Sequence, residues 1–274
     1  MSRLGVCSWS LQPESAADLA RRVREAGLGA VQLALDPLRE GRMRQDAVRQ
    51  ALADPAIEIL SGMMAMAGED YTSLESIRRT GGLVPDTTWA ANRAAAAGNA
   101  ALAEALGIRL VTFHAGFIPH DPADPSVAVL VERLRDVVAI FAERGVRVAL
   151  ETGQETAETL LDLLERPGLD SLGVNFDPAN MILYGTGDPV VALRALRPHV
   201  LQVHVKDALP AARAGIWGTE VPAGEGGVDW GGFFDALRSG GPEVNFLIER
   251  EAGDQRVADV RVAAALVRAY GAAA

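Results

Sequence analysis

Strand-like and helix-like segments alternate eight times along this 274-residue chain, and that alternation constrains the fold more than any other property of the sequence. Short apolar runs lie near residues 4–9, 29–35, 57–63, 108–114, 146–151, 172–177, 200–206 and 244–250. Each is followed by a stretch with helical spacing of apolar residues, such as AADLARRVREAG or VAVLVERLRDVVAIFAERG. Helix ends are marked too. EAGL, ALGI and ERGV place Gly27, Gly107 and Gly145 where a left-handed residue closes a helix before the next strand.

Eight βα units in one chain of this length predict an α/β protein, a single (β/α)8 TIM barrel. A doubly wound sheet usually has fewer strands and an early glycine-rich phosphate turn, and no G-x-G-x-x-G follows the first strand here. No Pro/Gly/Ser-rich linker divides the chain, so residues 1–274 are expected to form a single domain. The segment 64–85, MAMAGEDYTSLESIRRTGGLVP, is long for a βα connection and predicts an active-site loop carrying a short helix.

Composition narrows the function classes. With 49% hydrophobic and 23% charged residues the chain reads as globular rather than disordered. A net charge of -10 opposes nucleic-acid binding, which draws its affinity from clustered cations. The single cysteine, Cys7, has no intramolecular disulfide partner, which fits a reducing compartment. The N-terminus MSRLGVCSWSLQPESA lacks an apolar signal core and no run is long enough to span a bilayer, so a soluble cytoplasmic protein without a membrane partner is expected. A homo-oligomer stays open.

Strand side chains alternate between the helix layer and the barrel interior, which makes strand phase informative. In VLQVHVKDA, Leu201, Val203 and Val205 form the outward set and leave Gln202, His204 and Lys206 pointing inward. The same test sends Val146, Val148 and Leu150 outward and leaves Glu151 inward; it sends Leu172, Val174 and Phe176 outward and leaves Asn175 and Asp177. Val244, Phe246 and Ile248 leave Asn245 and Glu249, and LVTFH gives His114 the same phase. These polar groups sit at the C-terminal ends of strands, where barrel enzymes keep their chemistry. Taken singly, His114 and Asn175 read as ordinary strand-end polar groups. Taken together, Glu151, Asp177, His204 and Glu249 are harder to dismiss, because three carboxylates on one axis repel unless a cation sits among them. One imidazole with three carboxylates suits one divalent metal, Mn2+, Mg2+ or Co2+, with Zn2+ also compatible. Lys206 stands out as the only lysine among 26 basic residues.

These segments resemble the xylose isomerase-like barrel superfamily, in particular its sugar phosphate isomerase/epimerase branch, which also holds ketose 3-epimerases and inosose dehydratases. The carriers are FHAGF, ALETG with Glu151, NFDPANM with Asp177, VHVKDA with His204, VPAGEGGVDW, and LIERE with Glu249. The resemblance implies a metal held by Glu151, Asp177, His204 and Glu249, with the two glutamates also serving as acid and base. Two positions depart from the ketose 3-epimerase pattern. Asn180 stands where those enzymes carry a histidine, and Pro210 where they carry an arginine. The chain has four histidines, too few for the trinuclear zinc site of the related endonuclease IV.

The resulting expectation is an isomerase or epimerase of a sugar or sugar-derived hydroxycarbonyl. It would proceed through a metal-stabilised enediolate, with Glu151 and Glu249 removing and returning the proton. An inosose-type dehydratase would use the same residues; a non-catalytic sugar-binding barrel and an abasic-site endonuclease rank lower. Lys206 reads either as a ligand for a substrate oxyanion or phosphate, or as a salt bridge to Asp207, Glu225 or another loop carboxylate. His114 either orients a substrate hydroxyl or is a hydrogen-bonded barrel histidine. Trp9, at the end of the first strand, is placed to stack on a sugar face, and Asn180 is counted among the substrate contacts. Glu225 reads as a substrate contact or, preferably, a cap on loop amides. Arg250 reads as a phosphate ligand or a partner of Glu251. Trp230 reads as packing, with Asp229 as the cap of the following helix.

Overall fold

The computed structural model describes residues 2–53, 56–213 and 215–272. Its strands are β1 Leu4–Cys7, β2 Ala30–Ala34, β3 Glu58–Met63, β4 Leu110–Phe113, β5 Arg147–Glu151, β6 Gly173–Phe176, β7 Val200–Val205, β8 Asp207–Leu209, β9 Thr219–Val221 and β10 Asn245–Ile248. Eight of them close a barrel in the order β1-β10-β7-β6-β5-β4-β3-β2, all parallel, while β8 and β9 form a separate antiparallel ribbon. The fold is the TIM barrel that the βα alternation predicts, with all eight expected strands in place.

The outward phase of each strand packs beneath the helices. Val148, Leu150, Val174, Phe176, Val203, Val205, Phe246 and Ile248 are buried, and Phe141, Phe233 and Phe234 from the helix layer close over the strands. Burying a side chain of this size stabilises by roughly 1.5–3 kcal/mol, so the helix–strand layer supplies most of the driving force for closure. The interior is different: Cys7, Gln32, Ser61, Thr112, Asn175, Gln202 and His204 are all buried there, and mostly hydrogen-bonded to one another. Gly27, Gly107 and Gly145 take positive φ of 73°, 73° and 65° at helix ends, the conformation expected from their positions.

Two features differ from the sequence reading. The first strand stops at Cys7, and Ser8–Leu11 forms a 3-10 turn, so Trp9 lies on a turn rather than a strand. The Ser8 hydroxyl captures the Ala34 amide at 2.9 Å, which bends the chain out of the sheet and leaves room for the indole over the barrel mouth. The second is the β8–β9 ribbon, which rests on Asp207. The Asp207 carboxylate accepts from the backbone amides of Ala208, Gly224, Gly226 and Val228 and from the Trp230 indole at 2.9–3.1 Å, so VPAGEGGVDW wraps around one side chain. A Cβ at residue 226 would lie 2.1 Å from the Asp207 oxygen, which explains the glycine there. Asp229 caps the following helix, Trp230–Arg238, by accepting from the Gly232 amide at 3.0 Å, as its position predicts.

The long segment 64–85 carries the helix Leu74–Thr80, capped by Ser73. Arg133, on the helix Pro125–Ala142, donates to the carbonyls of Leu83 and Val84 at 2.8 and 2.7 Å and pins the end of this loop to the barrel wall. Among the described residues, no helix is long and apolar enough to cross a membrane.

Candidate metal centre and its cavity

Strands β5, β6, β7 and β10 are consecutive around the barrel, and their C-terminal ends bring Glu151, Asp177, His204 and Glu249 together. One ligand atom from each lies within 4.8 Å of the others, and all four side chains are buried. Asp177 directly follows β6 and caps the helix Pro178–Tyr184. Its Oδ1 accepts from the amides of Ala179 and Asn180 at 2.8 and 3.0 Å, which turns Oδ2 toward the cluster. Glu151 is held by two amides, with Asn175 Nδ2 at 3.1 Å from Oε2 and Asn180 Nδ2 at 3.0 Å from Oε1. Glu249 is held by Trp9 Nε1 at 2.7 Å on Oε1 and Lys206 Nζ at 2.8 Å on Oε2.

The orientation of His204 follows from its neighbours. Gln32 places its amide nitrogen 2.8 Å from Thr112 Oγ1 and 3.3 Å from the Gly62 carbonyl oxygen, an acceptor only, so the Gln32 oxygen faces His204. His204 Nε2 then donates to Gln32 Oε1 at 2.8 Å. Asn175 Nδ2 also lies 3.1 Å from Nε2, with its hydrogen directed to Glu151. This leaves Nδ1 facing Glu151 Oε1 at 3.3 Å, Glu249 Oε2 at 3.4 Å and Asp177 Oδ2 at 3.7 Å. Nδ1 and Asp177 Oδ2 are fully buried without a hydrogen-bond partner. Leaving such atoms unsatisfied costs about 1–3 kcal/mol each, and a divalent cation among the four side chains satisfies both. The donor set therefore fits such an ion. Cys7, His204 and Glu249 form a second convergent group. Burial pushes the Cys7 thiol up to about 12, so it stays protonated and is a poor ligand.

The electrostatics match a cluster awaiting a cation. Burial alone would lower His204, but Glu151 and Glu249 override it and hold the imidazole well above its usual range. Burial would raise Glu151 and Glu249; His204 with His114 lowers the first, and Lys206 with His204 holds the second well below the carboxylate range. Asp177 goes the other way, raised by burial despite Lys206. Burial also opposes the charge on Lys206, yet Glu249 and Glu251 raise it well above normal, so it is an ammonium group.

Above the cluster opens a cavity of about 630 Å³. Trp9, His114, Asn180, Lys206 and Glu249 all line it. His114 Nε2 stands 3.5 Å from Glu151 Oε1. Lys206 makes ion pairs with Glu249 and, at 2.6 Å, with Glu251, and lies 3.4 Å from Asn180 Oδ1. Its partners are thus neither Asp207 nor Glu225. Asn180 links Glu151 to Lys206 across the floor. Two of the expected substrate contacts do not reach the cavity. Arg250 follows inward-facing Glu249 by one residue, so alternation turns it away, and it pairs with Glu220 at 2.6 Å and Asp259 at 2.8 Å rather than with Glu251. Glu225 is exposed, and the amide-capping role goes to Asp207.

Some residues at the site escape the sequence reading. Gln32 was detectable, because Val31 and Leu33 point outward in AVQLA and leave it inward. Glu69 and Tyr71 lie in the segment 64–85, where no periodicity singles out a residue. Glu220, on the short strand β9, and Glu251, Tyr184 and Trp217, from irregular segments or a helix end, also line the cavity.

The family model described as xylose isomerase-like TIM barrel matches residues 20–270. A xylose isomerase domain protein from Planctomyces limnophilus is 33% identical, with a TM-score of 0.81 over 91% of this chain and 89% of that one. A xylose isomerase-like TIM barrel protein from Mycobacterium smegmatis, solved in complex with magnesium, is 18% identical with a TM-score of 0.74 over 99% and 98% of the two chains. The D-allulose 3-epimerase of a Methylomonas species is 15% identical with a TM-score of 0.70 over 98% of each chain. These last two similarities show the fold alone. A shorter match, 36% identical over 89 residues, relates 28% of this chain to 27% of the uncharacterized protein YihM of Escherichia coli K12. With the family match spanning most of the barrel, the chain belongs to the xylose isomerase-like TIM barrel family.

Proposed function

We propose that this protein is a divalent-metal-dependent isomerase or epimerase acting on a sugar or sugar-derived hydroxycarbonyl. The observation that carries the reading is the buried Glu151–Asp177–His204–Glu249 cluster, with two orphaned ligand atoms, whose Glu249 lines an open cavity. Sugar epimerases among the structural neighbours, and one neighbour solved with magnesium, support it. A divalent ion, Mn2+, Mg2+, Co2+ or Zn2+, held by those four residues would polarise a substrate carbonyl and offset the charge that develops when the α-proton leaves.

The chain's own residues do the rest. Glu151 ends β5 and Glu249 directly follows β10, with β6 and β7 between them, and so they approach the substrate carbon from different sides. One removes the α-proton and the other returns it: to the opposite face for epimerisation, to the neighbouring carbon for aldose–ketose isomerisation. Trp9 and Lys206 fix Glu249, Asn175 and Asn180 fix Glu151, and His114 is placed to bond a substrate hydroxyl. Lys206 also gives a lyase reading its one specific support, since an ammonium beside Glu249 can protonate a departing β-hydroxyl. We read residues 1–274 as one domain, and a cytoplasmic location goes with its single, buried, free cysteine.

The test is incubation in D2O with Mn2+ and a panel of ketoses, aldoses and inososes. A product that gains deuterium at the carbon next to the carbonyl, with an otherwise unchanged mass, supports isomerisation or epimerisation. Loss of one water moves the assignment to the lyase, and no exchange with any member sinks the enolising reading altogether.

A further inference from the structure

The cavity is larger than a single sugar ring needs. A hexose has about 12 non-hydrogen atoms, whereas cavities of several hundred Å³ bury ligands of roughly twice that size. The cavity here measures about 630 Å³.

Its walls also change character along the helix that follows β6. The helix Pro178–Tyr184 starts at the floor, where Asp177 caps it and Asn180 bonds Glu151. Tyr184 is four residues beyond Asn180, about 6 Å further along the helix axis. There its ring meets Trp217 edge-on, with centroids 4.8 Å apart, and both line the cavity. The Trp217 loop is fixed in place: the Gly218 amide bonds the Leu183 carbonyl at 3.3 Å, and a Cβ on Gly218 would lie 2.6 Å from the Leu209 carbonyl oxygen. Tyr71 contributes a third ring from the loop after β3, 46% exposed although it lines the cavity. Polar groups surround the cluster, and the Tyr184–Trp217 pair stands about one helical turn along from Asn180.

Charge decides what those faces receive. Lys206 is already engaged by Glu249 and Glu251, Arg42 reaches Glu40 at 2.6 Å, and His114, the third basic side chain of the lining, faces Glu151 at 3.5 Å. Glu69, Glu220 and Glu251 add carboxylates to the same walls. An incoming phosphate would have to displace a carboxylate from a partner it already holds and then face the others.

We propose that the outer cavity is a subsite for a second, uncharged sugar ring, so that the substrate is an unphosphorylated keto-disaccharide or similar glycoside. This rests on the reading above, in which the reacting carbonyl lies over the cluster. The experiment measures kcat/KM for solvent-deuterium incorporation with D-fructose, D-fructose 6-phosphate, isomaltulose and lactulose, together with the wider monosaccharide panel. One or both disaccharides should exceed fructose at least tenfold, and the phosphate ester should fall at least tenfold below it. Trp217→Ala should cut the disaccharide-to-fructose ratio at least tenfold. Tyr71→Leu, on a different loop, should lower the same ratio and serves if Trp217→Ala does not fold. A ratio of one or less in the parent protein, or a ratio unmoved in the folded variants, overturns the subsite. Preference for fructose 6-phosphate overturns the uncharged occupant. Both of those results leave the isomerase reading standing, whereas exchange with no compound at all removes that reading and the subsite with it.

Discussion

The two halves of this barrel handle polarity in opposite ways. Going round from β10 through β7 and β6 to β5, the inward ends carry Glu249, His204, Asp177 and Glu151; going on from β4 to β1 they carry Thr112, Ser61, Gln32 and Cys7. The first half supplies charge and donor atoms. Apart from His114, which follows β4 and faces Glu151, the second is neutral, yet it is what fixes the imidazole, through the chain Gly62 and Thr112 to Gln32 to His204. Charged groups buried at this depth are tolerable only where their orientation is set, and a neutral amide sets it without adding another charge to a crowded centre.

The sharpest way to break the comparison is to remove charge from the charged half. Glu249→Gln keeps the shape and an acceptor for Trp9 while removing the base. General acid–base groups contribute about 10²–10⁴-fold, and a loss of that size in α-proton exchange is expected. Metal content measured on the same sample separates a lost base from a lost ligand. Exchange at the parent rate would show that the charged half does no proton transfer through this residue.

Glu155 tests whether that half carries a wider electrostatic strain. It follows β5, is 5% exposed, and burial raises its carboxyl from 4.5 to about 7. The folded state therefore holds this proton more tightly than the unfolded chain. The group's contribution to stability is fully present below about 4.5 and is lost as pH rises through about 7, a span worth about 3 kcal/mol. Glu155→Gln cannot ionise, so urea unfolding at pH 5 and pH 8 should show the variant gaining on the parent by about 2–3 kcal/mol at the higher pH. Parallel pH profiles would mean that Glu155 ionises in the fold without penalty.

In the neutral half, Gln32→Leu leaves every proposed ligand in place and removes the acceptor of His204 Nε2–H. Groups that orient a ligating histidine are worth about 10–100-fold in metal affinity, and a loss in that range is expected for Mn2+ by titration calorimetry. Gln32→Glu retains the oxygen and should recover part of it. Unchanged affinity in the folded leucine variant would make the neutral half a mere filler.

The division between halves also explains what could be read from the sequence. Strand phase has a period of two, so an apolar outward set fixes the inward one, and Glu151, Asp177, His204 and Glu249 were legible together. The same rule reached Gln32, but a neutral amide among apolar residues gives no hint of the histidine it will meet from the far side of the barrel. Trp9 was legible as a site residue and misplaced as to element, because a side chain-to-backbone bond from Ser8 ended the strand early. Glu251 and Trp217 lie where the backbone has no period at all and Glu220 lies on the three-residue strand β9, too short to show one, so their approach to Lys206 and Tyr184 is settled by tertiary packing. Asp207, read in the sequence only as a salt-bridge partner for Lys206, instead organises the loop from Gly224 to Trp230.

The smallest expected effect lies one step further from the cluster. Thr112 Oγ1 is the 2.8 Å acceptor for the Gln32 amide, and the Gly62 carbonyl oxygen accepts from the same nitrogen at 3.3 Å. Thr112→Val deletes that hydrogen bond, together with the one Thr112 Oγ1 donates to Met63 Sδ, and leaves the weaker Gly62 contact, so the amide keeps its orientation while its hold on His204 loosens. A typical buried hydrogen bond contributes about 1 kcal/mol, which translates to about a fivefold loss of Mn2+ affinity. Orientation by relay predicts that Thr112→Val has almost no further effect once Gln32 is already leucine, because the relay is then cut upstream of the histidine. Additive losses in the double variant would instead mean that Thr112 acts on the barrel as a whole, and the neutral half would have no directed path to the metal centre.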